Sequence, residues 1–225
     1  MENVWRSIPK SAPFILDQDT YIIREMNYLY GRTPKKLQTQ MLPEPFIGDI
    51  NAPILILTKH PGFDEENDLI WHADERLQRL AMANLNQEKS DYPFYFLNPE
   101  IEESPGAKWH YGKLKELIQR NSLENVANNV CSIPSFPYHA GQFNGIPKSF
   151  SDNILPSQRY TRYLIREAIK RRAVIIMASG KKEWETLVPG LADYPQLYKL
   201  RSIQSQYITP GNFDEFEMLV DILKG

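Results

Sequence analysis

Ala52-Pro-Ile-Leu-Ile-Leu-Thr-Lys-His-Pro-Gly-Phe63 carries an unbroken apolar run, Ile54 to Leu57, and stops on Pro61-Gly62. So short a run suits a strand and is too short for a buried helix. Its lack of alternation fits a strand covered on both faces, as in a parallel sheet flanked by helices. Pro61-Gly62 then turns the chain away from the strand's carboxyl end. Ligands of open α/β sheets bind in the crevice outside those ends. His60 therefore stands either at the lip of a site or as a solvated residue of an ordinary turn.

Working outward, three more runs read as strands: Asn129 to Ile133, Ala173 to Ala178 and, more weakly, Leu197 to Ile203. Helical periodicity separates them. Apolar residues recur at three and four through Leu77, Leu80, Ala81 and Leu85, through Leu114, Leu117 and Ile118, and through Tyr160, Leu164, Ala168 and Ile169. Ser157 is positioned to cap the last of these. Trp184, Leu187 and Val188 give a short helix closed by Pro189-Gly190. Phe213, Phe216, Leu219, Val220 and Leu223 give the final one, with Asn212 and Glu215 spaced as a capping box. Near the amino terminus, Asp17 or Asp19 precedes a helix through Tyr21, Ile22, Ile23, Met26 and Leu29. Pro43 and Pro45 keep Leu42-Pro-Glu-Pro-Phe-Ile-Gly48 extended. Alternation of strand and helix predicts an α/β fold with a mainly parallel sheet.

The chain of 225 residues is best read as one domain, residues 1–225, with 1–41 as an amino-terminal helical extension packed on it. A formal charge of −2 gives no support to bulk electrostatic capture of nucleic acid, leaving only local basic patches. The single cysteine, Cys131, excludes an internal disulfide and a cysteine-rich metal site. It fits a reducing compartment, and with the absence of an apolar leader a cytoplasmic protein is expected; a monomer is expected as well, though no residue of the sequence fixes the oligomeric state. No run approaches the roughly eighteen apolar residues of a membrane span.

Parallel connections bring all four strand-end loops to one edge of the sheet. His60-Pro61-Gly62-Phe63, Pro137-Tyr138-His139, Ser179-Gly180-Lys181-Lys182 and Tyr207-Ile-Thr-Pro-Gly211-Asn212 are thereby expected to converge. Two imidazoles, a tyrosine, two lysines and a helix amino terminus suit a phosphate or a nucleobase. Arg159, Arg162, Arg166, Lys170, Arg171 and Arg172 either track phosphates or form an exposed helix face. Asp64 to Asp68 reads as a solvated acidic loop. The aromatic stretch Tyr92 to Phe96 reads as core, as a lid over bases, or as a docking surface for another protein. There is no glycine-rich phosphate loop and no Gly-x-Ser-x-Gly elbow. His60, His72, His110 and His139 lack the close spacing of metal ligands, and neither a metal nor a cofactor is expected.

In this order the motifs resemble the uracil-DNA glycosylase superfamily. Leu57-Thr-Lys-His-Pro-Gly62 with its lead-in Pro43 to Gly48 is similar to that family's first motif. Ala178-Ser-Gly-Lys-Lys-Glu-Trp184 is similar to its turn and helix after the third strand. Ile208-Thr-Pro-Gly-Asn212 occupies the place of its last loop, and Phe136-Pro-Tyr-His139 resembles the second-strand region of uncharacterised members. The resemblance implies a three-layer α/β/α sandwich with a short, mainly parallel sheet of about four strands. It also implies DNA as partner, as a single strand or a flipped base, and hydrolysis of an N-glycosidic bond. His60 falls where the family orients its attacking water, generally with an acid or asparagine. His139 would serve the leaving base in place of a last-motif histidine, which this sequence lacks. Pro61, Gly62, Phe63, Tyr138, Ser179, Gly180, Lys181, Lys182, Gly211 and Asn212 would hold substrate. The uracil-reading asparagine has no counterpart near Ile133. A non-catalytic relative, binding a nucleotide or nucleic acid in the same crevice, fits the departures equally.

Overall fold

Four strands, β1 (Ile54–Thr58), β2 (Val130–Pro134), β3 (Val174–Met177) and β4 (Leu197–Lys199), pair in the order β2-β1-β3-β4 in a computed structural model of the chain. It describes residues 1–148, 150, 153–202 and 204–224. All three pairings are parallel, with Leu55 opposite both Cys131 and Ile175. The fold is α/β.

Side chains alternate across a strand, so this sheet divides one apolar run between two cores. Leu55, Leu57, Cys131, Ile133, Ile175 and Met177 face one core. Ile54, Ile56, Val130, Val174 and Ile176 face the other. The first is covered by α1 (Thr20–Tyr30), α6 (Gln158–Lys170) and α7 (Lys181–Leu187), the second by α3 (Glu75–Asn86), α4 (Pro105–Arg120), α5 (Leu123–Asn129) and α8 (Phe216–Lys224). This is the three-layer arrangement expected. Among the described residues no helix is long and apolar enough to cross a membrane.

Several local expectations change. The acidic loop is partly a short helix, α2 (Asp68–His72), and α5 precedes β2 where the sequence shows no clear period. β4 stops at Lys199, and Ile203 lies outside the described residues. On α1, Tyr21 and Leu29 face solvent, so the core stripe narrows to Ile23 and Met26. Asp19 and Ser157 do not cap their helices through their side chains. Asp19 instead accepts hydrogen bonds from the Tyr138 hydroxyl and from the Ser157 amide. Asn212 does not cap α8, which begins at Phe216. Its amide pins the preceding loop by donating to Tyr207 O and accepting from the Ser202 amide. The aromatic stretch is no docking surface, because Phe94, Tyr95 and Phe96 are buried in the second core.

The extended Leu42–Gly48 segment fixes what reaches the crevice. Ile47 and Ser132 exchange both backbone hydrogen bonds, at 2.8 and 2.9 Å, as an antiparallel bridge beside β2. Further back, the Glu44 amide donates to Pro137 O at 2.8 Å. Pro43 and Pro45 hold the chain extended between these anchors, and the Glu44 side chain is buried.

Candidate functional site

A cavity of about 540 Å³ opens at the carboxyl edge of the sheet. That volume lies within the usual range for small-molecule sites. Each strand-end loop contributes: Lys59 to Phe63 after β1, Pro134 and His139 from β2, Ser179 after β3, and Gln206 after β4. Trp71 and His72 of α2, Phe96, and Trp109 and His110 of α4 complete the wall. Part of each trailing loop reaches one edge of the sheet, the expected Tyr207–Asn212 stretch excepted, and an aromatic wall is added.

Structural bonds hold the loops in place. The Lys59 amide donates to Ser179 Oγ at 3.1 Å, and Trp184 Nε1–H donates to Thr58 O at 2.8 Å. Gly180 has φ +73°, and a Cβ there would lie 2.9 Å from Lys59 Cα, so glycine permits the β1 and β3 loops to touch. Ser135 Oγ donates to Lys59 O at 2.7 Å from the other side.

His60 lines the cavity, but both of its ring nitrogens are buried from solvent and, the approach of the Ala140 backbone aside, meet no hydrogen-bond partner among the described residues. Burial pushes its pKa down to about 4, against an opposing pull from the Ala140 backbone. The ring is therefore neutral at pH 7. It packs on Phe143, with centroids 5.5 Å apart.

His139 lies at the heart of a polar cluster. Its Nδ1 faces Gly62 O at 3.0 Å, and its Nε2 faces Leu42 O at 3.1 Å and Glu44 Oε1 at 3.5 Å. Its ring meets that of His72 edge-on, with centroids 4.9 Å apart at 74°. Burial raises the Glu44 carboxyl above its ordinary range. His139 opposes that rise, Asp68 adds to it, and a hydrogen bond from Tyr95 also opposes it. Burial holds the His72 imidazole well below its ordinary value. One ligand atom each from Glu44, His72 and His139 lies within 4.8 Å of the others. No sign of this set comes from spacing along the sequence. Positions 72 and 139 are far apart in sequence, and the fold joins them.

Asp64 to Asn67 form the solvated acidic loop expected, and Asp64 and Asp68 border the cavity at its rim. Asp64 Oδ2 accepts from Asn67 Nδ2 at 2.9 Å, which draws its carboxyl below the usual range. It is a carboxylate at neutral pH.

Of the residues expected to hold substrate, Pro61, Gly62, Phe63 and Ser179 line the cavity with His60 and His139. Tyr138 does not. Its ring is buried against Trp5 and Phe136, and its hydroxyl is committed to Asp19. Gly180, Lys181, Lys182, Gly211 and Asn212 are not part of the wall either. Lys181 pairs with Glu185 at 3.6 Å along α7. On α6 the basic residues are largely bound locally. Arg162 Nε donates to Leu187 O, Lys170 pairs with Glu167, and Arg171 donates to Ile50 O.

The sequence assigned no role in a site to Glu44, Trp71, Trp109 and Gln206, rejected His72 as a metal ligand, and offered Phe96 only as part of a lid. Of the four without a role, Glu44 left a signal. It is a lone charge inside the otherwise apolar, proline-braced run Leu42 to Ile47, and a buried acid requires a polar partner. The chain matches no family model, no curated protein and no solved structure.

Proposed function

We propose that the chain is a nucleic-acid hydrolase of the glycosylase type. An extruded base enters the cavity and its N-glycosidic bond is hydrolysed. The observation that carries this reading is a crevice of about 540 Å³ walled by Phe63, Trp71, Phe96 and Trp109, with His60 in its wall and Asp64 at its rim. Aromatic faces stack on any base, and an extruded base is read inside such a pocket.

The reaction adds water across one bond. The water oxygen bonds to the sugar's anomeric carbon, the carbon–nitrogen bond breaks, and the base leaves as an anion that takes up the water's proton. Catalysis requires an oriented water and a donor near the departing base. His60, neutral and, the Ala140 backbone aside, without a protein partner, accepts a hydrogen from the water. Gln206, on the opposite loop, offers its side-chain amide to the base.

A binder of nucleotides or nucleic acid without catalysis is favoured by one observation. A pKa of about 4 makes His60 a weak base. One assay separates the two. Purified protein is incubated with single-stranded and mismatched oligonucleotides carrying uracil, hypoxanthine or other altered bases. Abasic sites and binding are then scored together. Base release supports the enzyme, binding without release supports the binder, and absence of both overturns the nucleic-acid reading.

A further inference from the structure

We infer that Glu44, His72 and His139 form a binding site for a divalent transition metal of the zinc type. The site has three protein ligands and an open position toward the cavity. The inference stands independently of the glycosylase reading.

The geometry fits before any rearrangement of the backbone. At the metal–ligand distances usual for zinc, about 2.0–2.2 Å, tetrahedral ligand atoms stand roughly 3.4 Å apart. His139 Nε2 and Glu44 Oε1 are 3.5 Å apart. The third ligand atom, from His72, lies within 4.8 Å of both, so a shift of about an ångström in one side chain would close the set. His72 is half-buried at the end of the short helix α2, whereas the other two are held tightly, so His72 is the one to move.

The surroundings of the set suit a cation. His139 faces carbonyl oxygens through both ring nitrogens, at 3.0 and 3.1 Å, and Glu44 Oε1 through Nε2 at 3.5 Å. A ring that turns Nε2 to a metal keeps Nδ1 for Gly62 O. The Nδ1–H donated to a backbone carbonyl is also the arrangement that orients metal-bound histidines. Glu44 carries its own second contact, a 3.5 Å hydrogen bond from the Tyr95 hydroxyl. Among the described residues, no lysine or arginine pairs with this buried carboxylate.

Two imidazoles and a carboxylate suit zinc and related divalent ions rather than calcium or magnesium, which take oxygen ligands. Three protein ligands with an open fourth position are the pattern of catalytic rather than structural zinc. All three ligands line the cavity, so the open position is accessible to water or to a small ligand.

The test uses the full-length protein, stripped with chelator and dialysed, then titrated with Zn²⁺ and, separately, Co²⁺. Calorimetry and elemental analysis should find one Zn²⁺ per chain. Co²⁺ should give the intense visible bands of a low-symmetry site, and excess Zn²⁺ should raise the melting temperature. His72→Ala should weaken Zn²⁺ binding at least a hundredfold while the metal-free protein melts as wild type does. Glu44→Gln should weaken it comparably, but its folding is less secure because Glu44 is buried. His72→Ala therefore decides. Wild-type protein that takes up no Zn²⁺ overturns the site, as does His72→Ala protein that binds Zn²⁺ as tightly as wild type.

Discussion

The Tyr138 hydroxyl donates to the Asp19 carboxylate at 2.9 Å, joining the amino-terminal segment to the loop after β2 across 119 positions of sequence. The other Asp19 oxygen accepts the Ser157 amide at 3.0 Å, so one buried acid ties three segments together. The Leu16 amide in turn donates to Tyr138 Oη. The amino-terminal extension is thereby part of the core, with Trp5, Leu16, Ile23 and Met26 buried in it.

Tyr138→Phe should destabilise the protein by about 1–3 kcal/mol, because it leaves the Leu16 amide and one Asp19 oxygen without their partner. Urea unfolding should show a lower midpoint with an unchanged slope. Substrate binding should not change, since Tyr138 does not reach the cavity. A variant that keeps its midpoint but loses binding would return Tyr138 to the site.

Gly106 is the second residue of α4, and a Cβ there would run into the Phe96 ring. Alanine gains up to about 1 kcal/mol over glycine in helix propensity. Overpacking a core typically costs about 1–3 kcal/mol. The Phe96 ring has little freedom, lying between Tyr95 at 4.4 Å and His110 at 5.0 Å. Overpacking should win, so Gly106→Ala should lower stability. It should also weaken ligand binding, because Phe96, Gly106 and His110 all line the cavity. A more stable variant with unaltered binding would contradict the packing described.

His110 is buried between Phe94 and Phe96, and burial pulls its pKa down to about 3, with Lys113 adding to the drop. Its folded pKa lies below the unfolded value of about 6.5. Between these values the unfolded chain holds a proton that the folded one does not. The contribution to stability is therefore complete above about pH 6.5 and is lost as pH falls toward 3, by about 1.4 kcal/mol per unit. His110→Phe keeps an aromatic ring in place and removes that proton. Between about pH 7 and about pH 5, its stability should fall by about 2 kcal/mol less than that of wild type. Equal falls, read by denaturant titration, would place the acid sensitivity elsewhere.

The sheet was legible because its strands are buried on both faces, which leaves continuous apolar runs such as Ile54 to Leu57 and Val174 to Met177. The convergence of the loops followed from parallel connection alone. The helices α2 and α5 were not legible, for they are short and lie in polar sequence. Half of the candidate site was hidden for a different reason. Trp71, Phe96 and Trp109 have the composition of core residues and reach the cavity only because α2 and α4 pack beside the β1 loop. Glu44 reaches it through a backbone bridge between Ile47 and Ser132, a long-range pairing that no local pattern encodes. Conversely, Asn212 and Tyr138 have the chemistry of ligand-binding residues, but their polar atoms are spent inside the fold.

His60 separates enzyme from binder. Its position is fixed by β1 behind it and the Pro61-Gly62 turn ahead, and its buried ring nitrogens, the Ala140 backbone aside, have no protein partner, so a water must reach them from the cavity. A general-base contact typically contributes 10²–10⁴-fold in rate, with little share in ground-state binding. His60→Ala should therefore keep oligonucleotide affinity within a few-fold and lose most base release. Burial sets the pKa at about 4, and only the unprotonated ring accepts a hydrogen from water. Release by wild type should be flat through neutral pH and fall only as pH drops through about 4, with no inflection near the ordinary histidine value of about 6.5. Equal release by His60→Ala and wild type would take His60 out of the mechanism and turn attention to the rim carboxylates Asp64 and Asp68. An inflection near 6.5 that survives in His60→Ala would assign the titrating group to another histidine of the wall.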